Sequence, residues 1–587
     1  MSSPLPIVAD VATNSTLDRL LLASRRPTDQ VELLARVRVR APSVRRTAFG
    51  LSVPGHEAAA LLLDDDALDL RWSEDARLFA ENRARAYESY PAVRGDVMAI
   101  LTGGVAAASA ALGTEHGLDA LDDHQVVNVA AMTTPNGFGL CVFDEQGAGK
   151  TVTFIHAFDV LAANYQADIA LIIAPKSMIG EWPEDFRRFK GDLYRVQVVA
   201  GTRGEKRRQL TRPADIFITN FETTVSLEDE LRNLLRRHGR RAVLVIDESF
   251  IIKNLDAKRT MALRRLREYC GRTFVLCGTP APNAPQDLVQ QFTIVDFGIT
   301  FDRVQLPKDK TAALPVARAA IDKSGLFVRH LKREVLPDLP GKRFHRLTVP
   351  LAPQQDALYR GALNDLIIDL RNTDDAGFQR QLASFLARRS ALLQICSNPA
   401  GLAQGYTETP AKIRILDTLL DTLIRVQHEK VVLWSFYTAS LDLLASRYER
   451  YGLVRYDGTL TDVDLRRGAI RRFQDDDETM VFLGNPAAAG AGITLHRSRI
   501  AIYESLSNQA AHYLQSLDRI HRRGQERDVD YLVLLCENTI ELTEYDRLQI
   551  KERDAGTLLR DKVPPPVTRS AFLAELEATT ELLRVLS

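Results

Sequence analysis

Short apolar runs alternate with amphipathic stretches between residues 120 and 300: GLCVF, IALIIAP, DIFITN, AVLVIDE and TFVLCGT. Runs of this length, bounded by turn residues, predict strands. Their alternation with helical stretches predicts a parallel sheet whose working loops lie at the carboxyl ends of the strands. A second series follows residue 411: KVVLWSF, GLVRYDG, TMVFLGN, RIAIYE and DVDYLVLLC. The expected class is α/β, with two parallel-sheet lobes.

Residues 301–410 read as mainly helical and basic in places, as in VRHLKREVL. The chain closes on Pro564 to Pro566 and an amphipathic AFLAELEATTELLRVL. Before residue 115 the sequence is rich in Ala, Leu and Arg, and VRVR (Val37 to Arg40) predicts a strand with Arg36, Arg38 and Arg40 on one face. That face reads as solvated, with phosphate contact as the sharper alternative. The organisation expected is an N-terminal accessory domain (1–115), a first lobe (116–300), a helical linker with protrusions (301–410), a second lobe (411–550) and a C-terminal helical extension (551–587).

Composition narrows the picture only a little. The 587 residues suffice for roughly three or four domains. Lys plus Arg equals Asp plus Glu, 76 each, so a polyanionic partner has to be met by local patches. The five cysteines (Cys141, Cys270, Cys277, Cys396, Cys536) form no CxxC pair, which argues against a zinc finger or disulfide framework and fits a reducing compartment. No secretory signal and no apolar run long enough to span a bilayer is read at this stage, so no membrane partner is expected.

The chemistry begins at FDEQGAGKT, Phe143 to Thr151, between an apolar strand and a helical run. Gly147 and Gly149, flanking Ala148, leave backbone N–H groups bare enough to approach a phosphate at a helix N-terminus. Lys150 would reach the β- and γ-phosphates of ATP, and the Thr151 hydroxyl would ligate Mg²⁺. Asp144 stands where the strict phosphate-loop pattern has its first glycine. Against that departure, Lys150 is the first lysine of the chain. A phosphate-loop enzyme also needs a strand that ends in carboxylates, and VLVIDE supplies Asp247 for the metal and Glu248 for the attacking water. Further on, QSLDRIHRRGQ carries Arg519 and Arg522 three apart, on one face if helical, as candidates to neutralise charge on the γ-phosphate.

In this order the blocks resemble the Swi/Snf-like ATPases of helicase superfamily two, motors on double-stranded DNA. The family's DEMGLGKT, DEAHxxKN and SGTPxxN are similar to DEQGAGKT, DESFIIKN and CGTPAPN here. Its glutamine motif is similar to LDDHQVVNVAAM, its linker to FVRHLKREVLPDLPGKRFHRLTVPLAPQQDALY, and its second-lobe blocks to NPAAAGAGITL and QSLDRIHRRGQ. The resemblance covers about 120 to 550. It implies two RecA-like lobes, ATP and Mg²⁺ as cofactors, Gln125 reading the adenine, and a nucleotide site of Gln125, Asp144, Gly147, Ala148, Gly149, Lys150 and Thr151. It further implies metal ligation by Thr151 and Asp247, and coupling of nucleotide state to DNA grip through Phe250, Thr279, Gly490, Gly492 and Gln515. DNA backbone contacts around Lys176, Thr219 and Asn485 are implied too, without base readout.

Phe250 replaces the family's histidine, and an apolar ring cannot form the polar link that histidine supplies. NPAAAG replaces a segment that commonly carries Ser, Thr and Arg, which implies fewer DNA contacts. The expected function is an ATP-driven translocase on duplex DNA that remodels or displaces bound proteins. A strand-separating helicase on single-stranded DNA or RNA, and a low-turnover ATP-dependent scaffold, are the alternatives. A protein partner for the N-terminal domain, a bacterial or phage origin and a cytoplasmic, nucleoid-associated location are further expectations.

Overall fold

A computed structural model describes residues 7–48, 50–63, 68–113, 118–255, 257–278, 280–281, 285–460, 463–488, 493–506, 510–553 and 568–585. The chain divides into two units, and the break falls between Leu331 and Lys332.

The first unit holds two sheets. Strands β1 (Ile7–Thr13), β2 (Arg19–Ser24), β3 (Arg45–Thr47), β4 (Gly50–Pro54) and β5 (Leu68–Trp72) form one in the order β3-β4-β2-β1-β5. It is antiparallel except where β1 runs alongside β5. Buried and exposed positions alternate along β1 and β2, as expected of a sheet with one face in the core. Helix α1 (Gln30–Arg40) corrects the reading of VRVR as a strand: Leu33 and Val37, four apart, are fully buried, so the helical spacing prevails over a two-residue alternation only four residues long. Arg36 pairs with Glu32 one turn earlier, at 2.5 Å, rather than lining a strand face with Arg38 and Arg40.

Helix α2 (Glu74–Leu112) leads out of this sheet. By length and composition it could cross a membrane, which corrects the sequence-based expectation that no such stretch exists. Its first turns bury Ala76, Phe79 and Ala80 in the N-terminal core, and Gly104 interrupts it with φ 60°. It packs along α3 (Asp123–Met132).

The second sheet of this unit comprises β6 (Gly139–Val142), β7 (Ile169–Ile173), β8 (Val196–Val198), β9 (Ile216–Thr219), β10 (Ala242–Asp247), β11 (Arg272–Leu276) and β12 (Phe327–Val328). All are parallel, in the order β12-β6-β11-β10-β7-β9-β8. Every residue of β6, β7, β9, β10 and β11 is buried, because helices cover both faces; that is why these strands read as unbroken apolar runs.

The second unit repeats the architecture with β13 (Lys342–Val349), β14 (Val431–Trp434), β15 (Leu453–Tyr456), β16 (Val481–Gly484), β17 (Ile500–Tyr503) and β18 (Val529–Cys536). These are again parallel, in the order β13-β18-β17-β14-β16-β15. The stretch between the two apolar series is helical over Lys310–Ser324, Pro353–Arg371 and Leu382–Ser397. It also gives an edge strand to each sheet, β12 to the first and β13 to the second. The terminal helix Arg569–Val585 packs on Pro353–Arg371, where Arg371 pairs with Glu577 at 2.7 Å. All five cysteines are buried as free thiols.

Candidate active site

The loop Phe143–Gly149 leaves the carboxyl end of β6 and enters helix α4 (Lys150–Ala163). Gly147 and Gly149 take φ 88° and 87°, a left-handed backbone that side chains resist. At Gly149 a Cβ would also lie 2.1 Å from Gln125 Nε2. The loop therefore wraps the α4 N-terminus, whose free N–H groups suit an anion. Lys150 Nζ donates to the Asp144 and Glu145 carbonyls at 2.9 and 3.4 Å, and Thr151 is half-buried beside it. Buried Ala148 turns its carbonyl to His124 Nε2 (2.8 Å) and Gln125 Nε2 (3.3 Å).

Two residues expected at the nucleotide site, Asp144 and Gln125, bond within the protein. The Asp144 carboxylate is fully buried behind the loop, accepting from Asn128 Nδ2 at 2.6 Å and from His330 N and Nδ1 at 2.8 Å each. Gln125 accepts from the Asp122 N–H at 3.0 Å to close a capping box on α3, so its amide bridges the helix end and the loop.

β10 sits between β7 and β11 and delivers Asp247 and Glu248 to the same edge of the sheet. Burial raises the Asp247 carboxyl to about 6, while the Lys150 ammonium and hydrogen bonds from Glu248 N and Trp182 pull the other way. The two bonds are 2.9 Å to Oδ1 and 3.2 Å to Oδ2. Trp182 opens helix α5 (Trp182–Lys190) and is nearly inaccessible. Glu248 adopts φ 50°, ψ 52°, a strained conformation for a residue with a side chain, at the point where the chain turns out of the strand. β6 and β10 flank β11 and run parallel, so the loop and the carboxylates leave the same end of the sheet. A hydroxyl and a buried carboxylate, Thr151 and Asp247, form the oxygen donor set that suits Mg²⁺ held together with nucleotide phosphates.

Beyond Glu248, Ser249 and Phe250 begin a short helical turn, Ser249–Ile252. The Phe250 ring is half-buried against the apolar core. Ser249 Oγ donates to Gln291 Oε1 at 2.5 Å, and Gln291 Nε2 donates to the Pro280 carbonyl at 2.7 Å. Gly278 in the same loop lies against the nucleotide loop, where a Cβ would come 3.0 Å from Gln146 N. Thr279 itself lies outside the described residues, as do Gly490 and Gly492.

In the second unit, the helix Ala510–Leu517 stops before the arginines, and residues 518–520 form a turn. Arg519 and Arg522 are therefore not paired on a helical face. They converge on one carbonyl: Arg519 Nη1 donates to Ile493 O at 3.2 Å and Arg522 Nη1 at 3.1 Å. Arg519 is fully buried and also donates through Nε to the Gln515 carbonyl (2.9 Å), whereas Arg522 is half-exposed and bonds Thr494 Oγ1 (2.8 Å). Buried Lys332 donates to Asp518 Oδ1 at 2.5 Å, beside Arg519.

An SNF2-related domain model matches residues 122–401 and a helicase conserved C-terminal domain model matches residues 411–524. The chain carries an SNF2-related domain followed by a helicase conserved C-terminal domain. Among curated SNF2 relatives, a SWI/SNF-related, matrix-associated, actin-dependent regulator of chromatin subfamily A-like protein 1 from Xenopus tropicalis is 26% identical over 438 residues, 71% of this chain and 43% of that one. The ISWI chromatin-remodeling complex ATPase CHR17 of Arabidopsis thaliana is 27% identical over 449 residues, 70% of this chain and 40% of that one. The chain spans less than half the length of these relatives. A solved Sulfolobus solfataricus SWI2/SNF2 ATPase core in complex with dsDNA is 23% identical, covering 79% of this chain and 96% of that one, with a TM-score of 0.34.

Of the three DNA-contact candidates in this SNF2-related chain, Lys176 alone is exposed, in the turn after β7. The Thr219 hydroxyl is buried and donates to the Val199 carbonyl at 2.9 Å. Asn485 accepts from Ala487 N (2.8 Å) and donates to Phe436 O (3.1 Å), which fixes its own turn. Sequence reasoning missed Trp182, Asn128, His330, Gln291 and Lys332. The signal available for them was a buried polar type inside an apolar context, and each acquires its partner only through the fold.

Proposed function

We propose that this chain hydrolyses ATP and uses the cycle to move along double-stranded DNA, independent of sequence, displacing or remodelling what is bound there. The observation that carries the reading is the placing of a phosphate-type loop after β6 and of the carboxylates Asp247 and Glu248 after β10, the two strands that flank β11 in one parallel sheet.

In this scheme the N–H groups at the start of α4 and Lys150 bind the phosphates, and Thr151 and Asp247 hold Mg²⁺, which neutralises charge on the phosphate oxygens when bound. Glu248, set by its left-handed backbone, orients the attacking water. Arg519 and Arg522 are assigned to neutralise charge developing on the γ-phosphate. Lys176 contributes backbone contact, and binding is expected to weaken steeply with salt.

A low-turnover, ATP-dependent scaffold is the second reading, favoured by Phe250 in place of a polar residue and by the burial of Arg519. The test is ATP turnover of the full chain with and without duplex DNA. Turnover that rises with duplex and is abolished by Lys150→Ala supports the motor. DNA affinity that responds to ATP while turnover stays at background supports the scaffold.

A further inference from the structure

The chain lacks the histidine that, in the family it resembles, links the carboxylate strand end to the neighbouring coupling loop, and Phe250 cannot replace it. One residue earlier lies a polar connection of a different make. The Ser249 hydroxyl is fully buried and donates to Gln291 Oε1 at 2.5 Å. Gln291, on the helix Val289–Asp296, is also fully buried, and its Nε2 donates to the carbonyls of Pro280 (2.7 Å) and Asp287 (3.0 Å).

Pro280 belongs to the loop that packs on the nucleotide loop. Gly278 lies against Gln146, and Arg329 Nη1 donates to the carbonyls of both Phe143 (2.5 Å) and Gly278 (3.2 Å). A displacement of Glu248 therefore has a hydrogen-bonded route through Ser249 and Gln291 to Pro280, and from there to the loop that cradles the nucleotide.

Packing alone does not call for this pair. An apolar pair of similar shape is close to neutral for stability when both partners of a buried hydrogen bond are replaced together. A serine and a glutamine that are both inaccessible, with the amide bonded at both ends, point to a requirement for direction and register rather than volume.

On the reading that the chain is a DNA-stimulated ATPase, we infer that Ser249 and Gln291 are positioning residues that couple the Asp247–Glu248 strand end to the loop Cys277–Ala281, in the role the missing histidine would fill. The relay lies wholly within the first unit.

The test uses the full chain and compares the parent with Ser249→Ala, Gln291→Leu, the double variant, and the double variant carrying Phe250→His. ATP turnover and KM are read with and without duplex DNA, nucleotide affinity with a fluorescent ATP analogue, and folding by thermal melting. Each single variant is expected to lower duplex-stimulated kcat by about tenfold with nucleotide affinity held within about twofold. The double variant is expected to be no slower than the singles, with a melting temperature no lower than that of Gln291→Leu, and Phe250→His to restore roughly half of the lost stimulation.

Unchanged stimulation in the variants, losses that multiply in the double variant, a fall in rate that tracks a fall in melting temperature, or failure of Phe250→His to rescue each overturns the relay while the motor reading stands. A parent protein that duplex DNA does not stimulate overturns the motor reading and the relay with it.

Discussion

His330 holds the carboxylate of Asp144 twice, its backbone N–H and its Nδ1 both donating to Oδ1 at 2.8 Å, while Asn128 holds Oδ2 at 2.6 Å. Asp144 is the first acidic residue of DEQGAGKT and does not face the nucleotide. It ties the loop to α3 on one side and to the segment after β12 on the other. Replacing it with Ala leaves three donors, one on buried Asn128 and two on part-buried His330, without an acceptor, a loss of about 2 kcal/mol. Asp144→Ala is therefore expected to melt at a lower temperature and to bind a fluorescent ATP analogue about tenfold more weakly, although it removes no group that touches ATP. Unchanged affinity would show that the loop holds its shape without this anchor.

Among the described residues Trp182 is the side chain that donates to Asp247, and a hydrogen bond to the charged form favours that form. Burial has raised this carboxyl from 3.8 to about 6, so the acid folds more readily protonated than charged. The signs then differ for stability and for chemistry. Asp247 contributes stability as pH falls from about 6 toward 3.8, whereas metal binding needs the carboxylate and is lost over the same window. Turnover is expected to fall below about pH 6. Trp182→Phe should move that acid limb to higher pH and raise the Mg²⁺ concentration for half-maximal rate about fivefold. A pH–rate profile and a Mg²⁺ titration of the two proteins decide it.

The two arginines of QSLDRIHRRGQ should separate cleanly. Arg522 is half-exposed, and Arg522→Ala is expected to keep the melting temperature and lower turnover about a hundredfold or more. Arg519 is inaccessible and bonded to the carbonyls of Gln515 and Ile493, so Arg519→Ala should unfold at a lower temperature, with a loss of about 2–3 kcal/mol. Equal effects on rate with no effect on stability would return both to the role of fingers.

How much of this was legible follows from where each signal resides. The strands buried on both faces, such as β7 and β10, announce themselves as unbroken apolar runs. β8 and β12, with three and two residues, are too short to show any period, and of the five strands before residue 73 only β1 and β2 alternate clearly, β3 being exposed and β4 buried along its whole length. At the site, Lys150, Thr151, Asp247 and Glu248 stand in contiguous motifs and are read directly. Trp182 and Asp247 are 65 positions apart, Ser249 and Gln291 are 42, and Asp144 and His330 are 186. Those partners are set by strand order, which no local pattern encodes. The same limit explains Thr219 and Asn485, whose residue types suit phosphate contact but whose side chains the fold directs to neighbouring backbone groups.

His156 on α4 is buried, its Nδ1 has no hydrogen-bond partner, and burial together with the nearby Lys190 lowers it from 6.5 to about 4. Between those values the unfolded chain holds a proton that the folded chain rejects. Stability is therefore complete above pH 6.5 and falls on acidification toward pH 4, with a slope of up to about 1.4 kcal/mol per pH unit from this group. His521, also lowered to about 4 by burial, adds to the same slope. Denaturant melts at several pH values should show a shallower acid dependence for His156→Phe than for the parent; an identical slope would place the acid sensitivity elsewhere.

The most direct measurement of the central claim is steady-state ATP turnover of the full chain titrated in parallel with duplex DNA, single-stranded DNA and RNA at low and high salt. Duplex DNA is expected to stimulate turnover strongly, with a concentration dependence that weakens as salt rises, and Lys150→Ala and Glu248→Gln are expected to abolish it. Stimulation by single strands or RNA without a response to duplex, or no response to any nucleic acid, would contradict a translocase on double-stranded DNA.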